Sequence, residues 1–464
     1  METWVPPILA IVYELSLFSA VVFALFGVDD LLVDALALAG VGRGARVELP
    51  DQLTPPMNFA IFIPAWHEGD VIGAMLDHAL ASWRGMACTI YVGVYPNDLA
   101  TMLAVAGAAR HDPRVRMVLN DEDGPTTKGA CLNRLWFQLC ADLAAGHSRA
   151  EAVLLHDAED VVDRAELAVL GQALVRHAYA QIPVIPLMGR EGKWVGRHYC
   201  DEFAEAHAKE LPVRAGLGAP MPTAGVGCAF RVDALTALAR GSGPFCADSL
   251  AEDYELGLQL SARGASGQFV IARHASGELV ASRGFFPHKL GDAVQQKTRW
   301  LRGIALDGWD RIGWISNPRG TVWQDIAAIW MLWRDRRAVV AAGAICAAYL
   351  AMVLAGIGTA LAYIYALPVV IGGAGLGWLC AFNMLLFGWR LMMRGHYTAR
   401  IYGWRQGVMA IARQPVSNFI LVLTARRALS DYVRGLRGAA LRWDKTAHQF
   451  PVADDAPLRG RPAA

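Results

Sequence analysis

Charge is what this 464-residue chain has least of: 18% of its residues are charged and 55% are hydrophobic. A soluble globular protein carries nearer a quarter of charged residues. Lys and Arg number 43 and Asp and Glu 42, a formal net charge of +1, so the basic excess of a general nucleic-acid binder is missing. The low hydrophobicity and high net charge of a disordered chain are missing too. The eight cysteines form no Cys-x-x-Cys pair and fall at irregular spacing. That speaks against a zinc site and against a secreted disulfide framework, and most read as small buried residues in a reducing compartment. The start, Met1-Glu2-Thr3, has no basic region, so the apolar stretch behind it reads as a retained anchor rather than a cleaved signal.

Long apolar runs stand where the charges do not. Val5 to Gly27 is one, with Glu14 its single charge, and it is long enough to span a bilayer. Ala338 to Leu361 and Ala366 to Trp389 are two more, with Ala366-Leu367-Pro368 marking a hairpin between them. Arg334, Arg336 and Arg337 precede this pair and Arg390, Arg394 and Arg400 follow it, with no Lys or Arg between. Positive residues favour the cytoplasmic side, so both outer ends of the hairpin belong there. Arg43 and Arg46 place the end of the first run on the same side.

The expected layout is an N-terminal transmembrane helix (1–30), a cytoplasmic domain (31–310) and interfacial helices (311–337). A transmembrane hairpin (338–390), an interfacial or additional membrane helix (391–442) and a mobile tail (443–464) follow. Trp323, Ile326, Trp330 and Trp333 recur at helical spacing, which suits either a helix lying in the interface or one packed on the soluble domain. Gly407 to Ala425 is apolar but interrupted by Arg413, Gln414 and Pro415, and reads as interfacial or lumen-lining.

From Asn58 to about Gly303 the composition is globular. Short runs such as FAIFIP (59–64), CTIYVGVYP (88–96), VRMVLN (115–120) and the start of AVLLHDAED (152–160) alternate with helical stretches over 68–81, 99–110 and 128–145. This alternation predicts a parallel, doubly wound sheet, whose ligands gather beyond the carboxyl ends of the strands. Polar clusters follow those ends: Trp66-His67-Glu68, Asn97-Asp98 and Asp157 to Asp160.

Several of these clusters suit chemistry. Asp157, Glu159 and Asp160 can converge on a hard divalent cation, Mg²⁺ or Mn²⁺, or cap a helix. Asp253, at the start of a helix, suits a general base or a simple dipole-favoured acid. Gln296, Arg299 and Trp300 share one helical face; the guanidinium fork suits a departing phosphate and the indole a sugar ring. In Thr223-Ala224-Gly225-Val226-Gly227-Cys228 the glycines permit close backbone approach to a ligand or form a plain turn. Lys128, opening a helix, can face a nucleotide phosphate. The twelve histidines, His156 and His288 among them, show no metal spacing and receive no role.

Taken in order, IPAWHE, KGACLN, HDAED, TAGVGC, LAEDYELG and QKTRW before a membrane hairpin resemble the processive, membrane-bound family 2 glycosyltransferases, relatives of cellulose and hyaluronan synthases. The stretch TRWLRGIALDGW is most similar to the bacteriophage adsorption protein B subfamily. The resemblance covers roughly residues 1–440. It implies a GT-A-type, doubly wound mixed sheet set between transmembrane helices. It also implies inverting, metal-dependent transfer from a nucleotide sugar to a growing glycan at the bacterial inner membrane, with export of the glycan. Asp157 and Glu159 match the Asp-x-Asp metal position, with Glu a departure, and Asp160 shares that role. Asp253 matches the catalytic base of a Thr-Glu-Asp motif in which Ala251 replaces Thr. Gln296, Arg299 and Trp300 match Gln-x-x-Arg-Trp, near the acceptor and the leaving nucleotide. Glu68, Asp98 and Lys128 match nucleotide contacts.

The implied partners are a nucleotide-sugar donor, a glycan acceptor, the bilayer, and an outer-membrane or periplasmic export partner or an oligomer. Longer members of the subfamily carry a second domain after the membrane region, for which this chain has no room, so regulation through it is expected to be absent. Competing readings are single-sugar transfer to a polyprenyl phosphate lipid and a catalytically inactive receptor or scaffold.

Overall fold

The structure, a computed structural model, describes residues 5–49, 51, 53–318, 320–368, 372–438 and 450–451. Strands β1 (Phe59–Pro64), β2 (Cys88–Val94), β3 (Val115–Leu119) and β4 (Ala152–Leu155) alternate with helices α2 (Ile72–Ser82), α3 (Leu99–His111) and α4 (Lys128–Ala144). The strands form as expected because their apolar residues serve both faces of the sheet. Phe59, Ile61 and Ile63 join a core with α2, α3 and α5 (Glu166–Leu174). Ala60 and Phe62 join the opposite core with α4, α8 (Val232–Leu238) and α9 (Glu252–Ala262).

The sheet order is β3-β2-β1-β4-β7-β5-β8, completed by β5 (Tyr179–Gln181), β7 (Cys228–Arg231) and β8 (Gly267–Phe269). β6 (Val184–Pro186) and β9 (Ser282–Gly284) pair separately. The first four strands are mutually parallel, whereas β7 runs antiparallel to β4 and β5. The sheet is therefore mixed, as the family resemblance implies, where the strand–helix alternation alone predicts a parallel one. The reversal has a consequence for the site. β7 begins at the edge where β1 and β4 end, so the TAGVGC stretch arrives beside HDAED.

Among the described residues, three helices are long and apolar enough to cross a membrane: α1 (Val5–Leu38), α13 (Ala338–Ile364) and α14 (Ala374–Tyr402). Helices α15 (Trp404–Ala412) and α16 (Gln414–Leu436) form a pair bent by 53° at Arg413, where the sequence places its polar interruption. The helix expected to close near residue 30 continues to Leu38, because its acids are matched. Asp29 pairs with Arg334 and Arg337, and Asp30 with Arg334, Arg337 and Arg390. Asp34 accepts from Lys209 Nζ at 2.7 Å and from Trp389 Nε1 at 2.8 Å.

Lys209 lies in a π turn (206–210) between α6 (Val195–Glu205) and α7 (Leu211–Gly216). Helix α6 is fastened to the bend by a buried bidentate pair, Arg413 Nε and Nη2 on Asp201 at 2.7 Å each. Helices α10 (Leu290–Ala305), α11 (Asp307–Ile312) and α12 (Val322–Arg336) lie between the domain and the apolar helices. Helix α12 is packed along one side and open along the other. Trp323 and Ile326 are exposed, while Trp330 bonds Asp29 and Asp335 accepts from Arg214 at 2.8 Å and Tyr254 at 2.7 Å. The tail expected from 443 onward lies outside the described residues, apart from Phe450 and Pro451.

Candidate active site

One cavity of about 530 Å³ opens at the carboxyl edge of β1 and β4. Its wall includes Glu68, Lys128, Asp157, Glu159, Asp160, Asp253, Gln296, Arg299 and Trp300. Segments spread from residue 68 to residue 300 thus reach one place.

The centre of the wall is a charge cluster. Lys128, in the first turn of α4, puts Nζ 2.7 Å from Asp157 Oδ1 and 3.9 Å from Glu252 Oε1. Burial works against the ammonium, but Asp157, Glu252 and Asp253 together hold its pKa above the usual lysine value. Burial raises Asp253, and the Asp157 charge adds to this while Lys128 opposes it. Glu252 is likewise pushed up by burial and by the Asp253 charge. Such perturbed acids in a cleft make this cluster the candidate for proton transfer.

Gly225 explains how the loop before β7 reaches this cluster. Its φ is +72°, and a side chain there would collide with Asp253 Oδ2 and lie 3.2 Å from Lys128 Nζ. Only glycine supplies both the left-handed turn and the empty space. The loop is anchored at its start. Thr223 Oγ1 donates to the Asp253 carbonyl at 2.7 Å, and the Ala224 N–H donates to Gln181 Oε1 at 2.9 Å.

On α10, Gln296 Oε1 is buried and finds no hydrogen-bond partner among the described residues. The Trp300 ring meets Tyr199 and Phe286 edge-on, with centroids 6.1 and 6.2 Å apart. This leaves the indole braced beside a cavity that Phe203 and Phe286 also line.

Two expectations are revised by geometry. Asp98 does not line the cavity. It is 3% exposed and caps α3, accepting the N–H of Thr101 at 3.3 Å and that of His67 at 2.6 Å. It thereby steadies the turn that presents Glu68, at a His67 held in a left-handed conformation with φ 55°. Asp160 reaches the cavity wall, but its Oδ2 accepts from His156 Nδ1 at 2.8 Å and from the Asp157 N–H at 3.0 Å.

His156, given no role from sequence, is a buried pillar. Its Nε2 faces Glu166 Oε1 at 2.9 Å. Burial lowers its pKa, yet the two carboxylates outweigh that and carry it up to about 10. As an imidazolium it donates from both ring nitrogens and fixes the shape of the HDAED loop. Nothing periodic in the sequence signals this; the flanking acids were the one available hint.

The donors present suit a divalent cation. Asp157 and Glu159 line the cavity, and Mg²⁺ or Mn²⁺ needs few protein carboxylates, completing its shell from phosphates and water. Among the described residues no group of three acids, histidines or cysteines is preassembled around a metal position.

Residues 55–303 match the family model described as "Glycosyltransferase like family 2". Bacteriophage adsorption protein B of Escherichia coli (strain K12) is 30% identical over 93% of this chain and 61% of its own length. Bacteriophage N4 adsorption protein B of Escherichia coli O157:H7 gives the same figures. The chain therefore spans less than two thirds of the length of these relatives. A mannosyltransferase from Pyrobaculum calidifontis, solved with GDP-Man and Mn²⁺, shares the fold. Its TM-score is 0.53 at 16% identity, covering 91% of this chain and 99% of that one. The architecture is thus that of GT-A glycosyltransferases joined to apolar helices, and the chain belongs to glycosyltransferase family 2.

Proposed function

We propose that this enzyme moves a sugar, with inversion, from a nucleotide-sugar donor to a growing glycan at the cytoplasmic face of the bacterial inner membrane. The observation that carries this reading is the meeting of Lys128, Asp157 and Asp253 with Gln296, Arg299 and Trp300 around one cavity.

Asp253 takes the proton of the acceptor hydroxyl; its raised affinity for protons suits a base. Arg299 receives the charge that develops on the departing diphosphate, and its fork suits two phosphate oxygens. Lys128 and Glu68 orient the donor. Gln296 and Trp300 hold the acceptor ring. Asp157 and Glu159 would hold Mg²⁺ or Mn²⁺, which would supply charge neutralisation at the diphosphate. Asp160 and His156 position that loop, and Asp98 positions Glu68. Product release into an export path along the membrane helices accounts for the fusion of site and spans. The relatives named for bacteriophage adsorption support a product or complex displayed at the cell surface.

The test is a panel of nucleotide sugars with the membrane-embedded chain, followed by mass and anomeric analysis of product. A ladder of glycans of opposite anomeric configuration to the donor is expected. A single sugar on a polyprenyl phosphate would replace the glycan acceptor by a lipid one. Rates no higher than those of Asp253→Asn would overturn the assignment.

A further inference from the structure

Glu14 is the single charge in the first apolar run, and nothing in the proposed sugar transfer uses it. It is exposed on α1 and makes no hydrogen bond or ion pair to any described residue. Asp29, paired with Arg334 and Arg337, marks the cytoplasmic end of the span. At about 1.5 Å per residue, Glu14 stands roughly 22 Å from Asp29 along the helix. A hydrocarbon core of about 30 Å therefore contains it. Lipid offers a carboxylate no hydrogen bond, so intramembrane acids face a partner or a wet path.

The rest of that face says what kind of partner. Helix α1 turns Val12, Ser19, Ala20 and Val22 inward, and Ser19 donates to the Ala344 carbonyl of α13 at 3.1 Å. Ile11, Phe18, Val21, Leu25, Val28 and Leu32 are exposed. With Glu14 they recur at alternating steps of three and four, the period by which one helix seats a second. A second copy of this chain offers no free charge at that depth among its described residues: Arg413, at the bend of α15 and α16, is taken by Asp201. Val5–Gly27, Ala338–Leu361 and Ala366–Trp389 contain no Lys, Arg or His.

We propose that this stripe of α1 docks a membrane-spanning helix of another polypeptide, whose Lys, Arg or His lies opposite Glu14. The docking is separate from the cavity and independent of the sugar chemistry.

The test uses the full chain in its native membranes with a photo-crosslinking residue in place of Phe18. One adduct is expected, its peptide lying in an apolar span with a basic residue at the depth of Glu14. Its yield should fall about fivefold in Glu14→Gln and Glu14→Leu, the size of one intramembrane polar contact. Leu favours insertion, so loss in that variant is not failure to enter the membrane. Glu14→Lys combined with a Glu at the partner's basic position should restore the adduct. An adduct of twice this chain's mass, adducts with lipid alone, or a yield indifferent to both variants would overturn the proposal.

Discussion

Two charged assemblies sit within this molecule, and they are built on opposite principles. At the cavity, Asp157, Glu252 and Asp253 share the single ammonium of Lys128. At the junction with the membrane helices, Asp29, Asp30 and Asp34 meet Arg334, Arg337, Arg390 and Lys209, and nearby Asp201 has Arg413 to itself. In the first, three acids share one ammonium; in the second, with Glu205 on Lys209 and Glu210 on Arg334, every acid has a direct ion pair. An excess of buried like charge costs stability and is kept where a ligand will relieve it; matched pairs hold parts together. The first assembly is a place of work and the second a fastening.

The comparison breaks or sharpens under substitution. Asp253→Asn should lower transfer by about 10³ in single-turnover assays, within the span of general base catalysis, with donor-nucleotide binding retained. The same change should leave the thermal midpoint unchanged or raise it, because a buried like charge is gone. Asp201→Asn should do the opposite. Stripping a partner from a buried guanidinium costs about 3–5 kcal/mol, read as a fall in thermal midpoint in detergent. Equal midpoints in the two variants would erase the distinction.

Lys128→Met tests the sharing of charge. Lys128 holds the Asp253 carboxyl below where burial would leave it. Removing the ammonium should move the acid limb of the activity–pH profile upward, because the base then ionises only at higher pH. A limb that stays still, or moves down, would dissociate the lysine from the base. The smallest effect belongs to the contact between the two regions. Tyr254→Phe removes the hydrogen bond to Asp335 and should cost about 1–2 kcal/mol, visible in the thermal midpoint.

Most of the frame was legible in the sequence, and so was the gathering of the candidate site residues at one cavity. Lys128, Asp157 and Asp253 stand at element ends and could be singled out by residue type and order. The strands β1 and β2 were legible because six or seven apolar residues cannot be placed otherwise than between two cores. The direction of β7 was not legible, since Cys228 to Arg231 reads the same way up or down and only its neighbours fix it. Asp98 shows the limit of strand-end reasoning: a polar residue after a strand can serve the next helix instead of a ligand. His156 shows another limit. Its partners stand four and ten residues on, across a turn, at no spacing that a periodicity would reveal. The length of α1 escaped for a related reason, as its acids end a helix in water but continue one when arginines from distant helices meet them.

One contact joins the helix of Asp253 to the helix of Arg299. A methyl at Gly303, one turn beyond Arg299 on α10, would lie 2.8 Å from Ala251 Cβ and 3.0 Å from Ala251 N. Ala251 is also where the family pattern has a larger Thr. The missing atoms on either side let the helix with Arg299 nestle against the entry to the helix with Asp253. The two helices thus meet with no spacer between them, and any carbon inserted there would pry Asp253 and Arg299 apart.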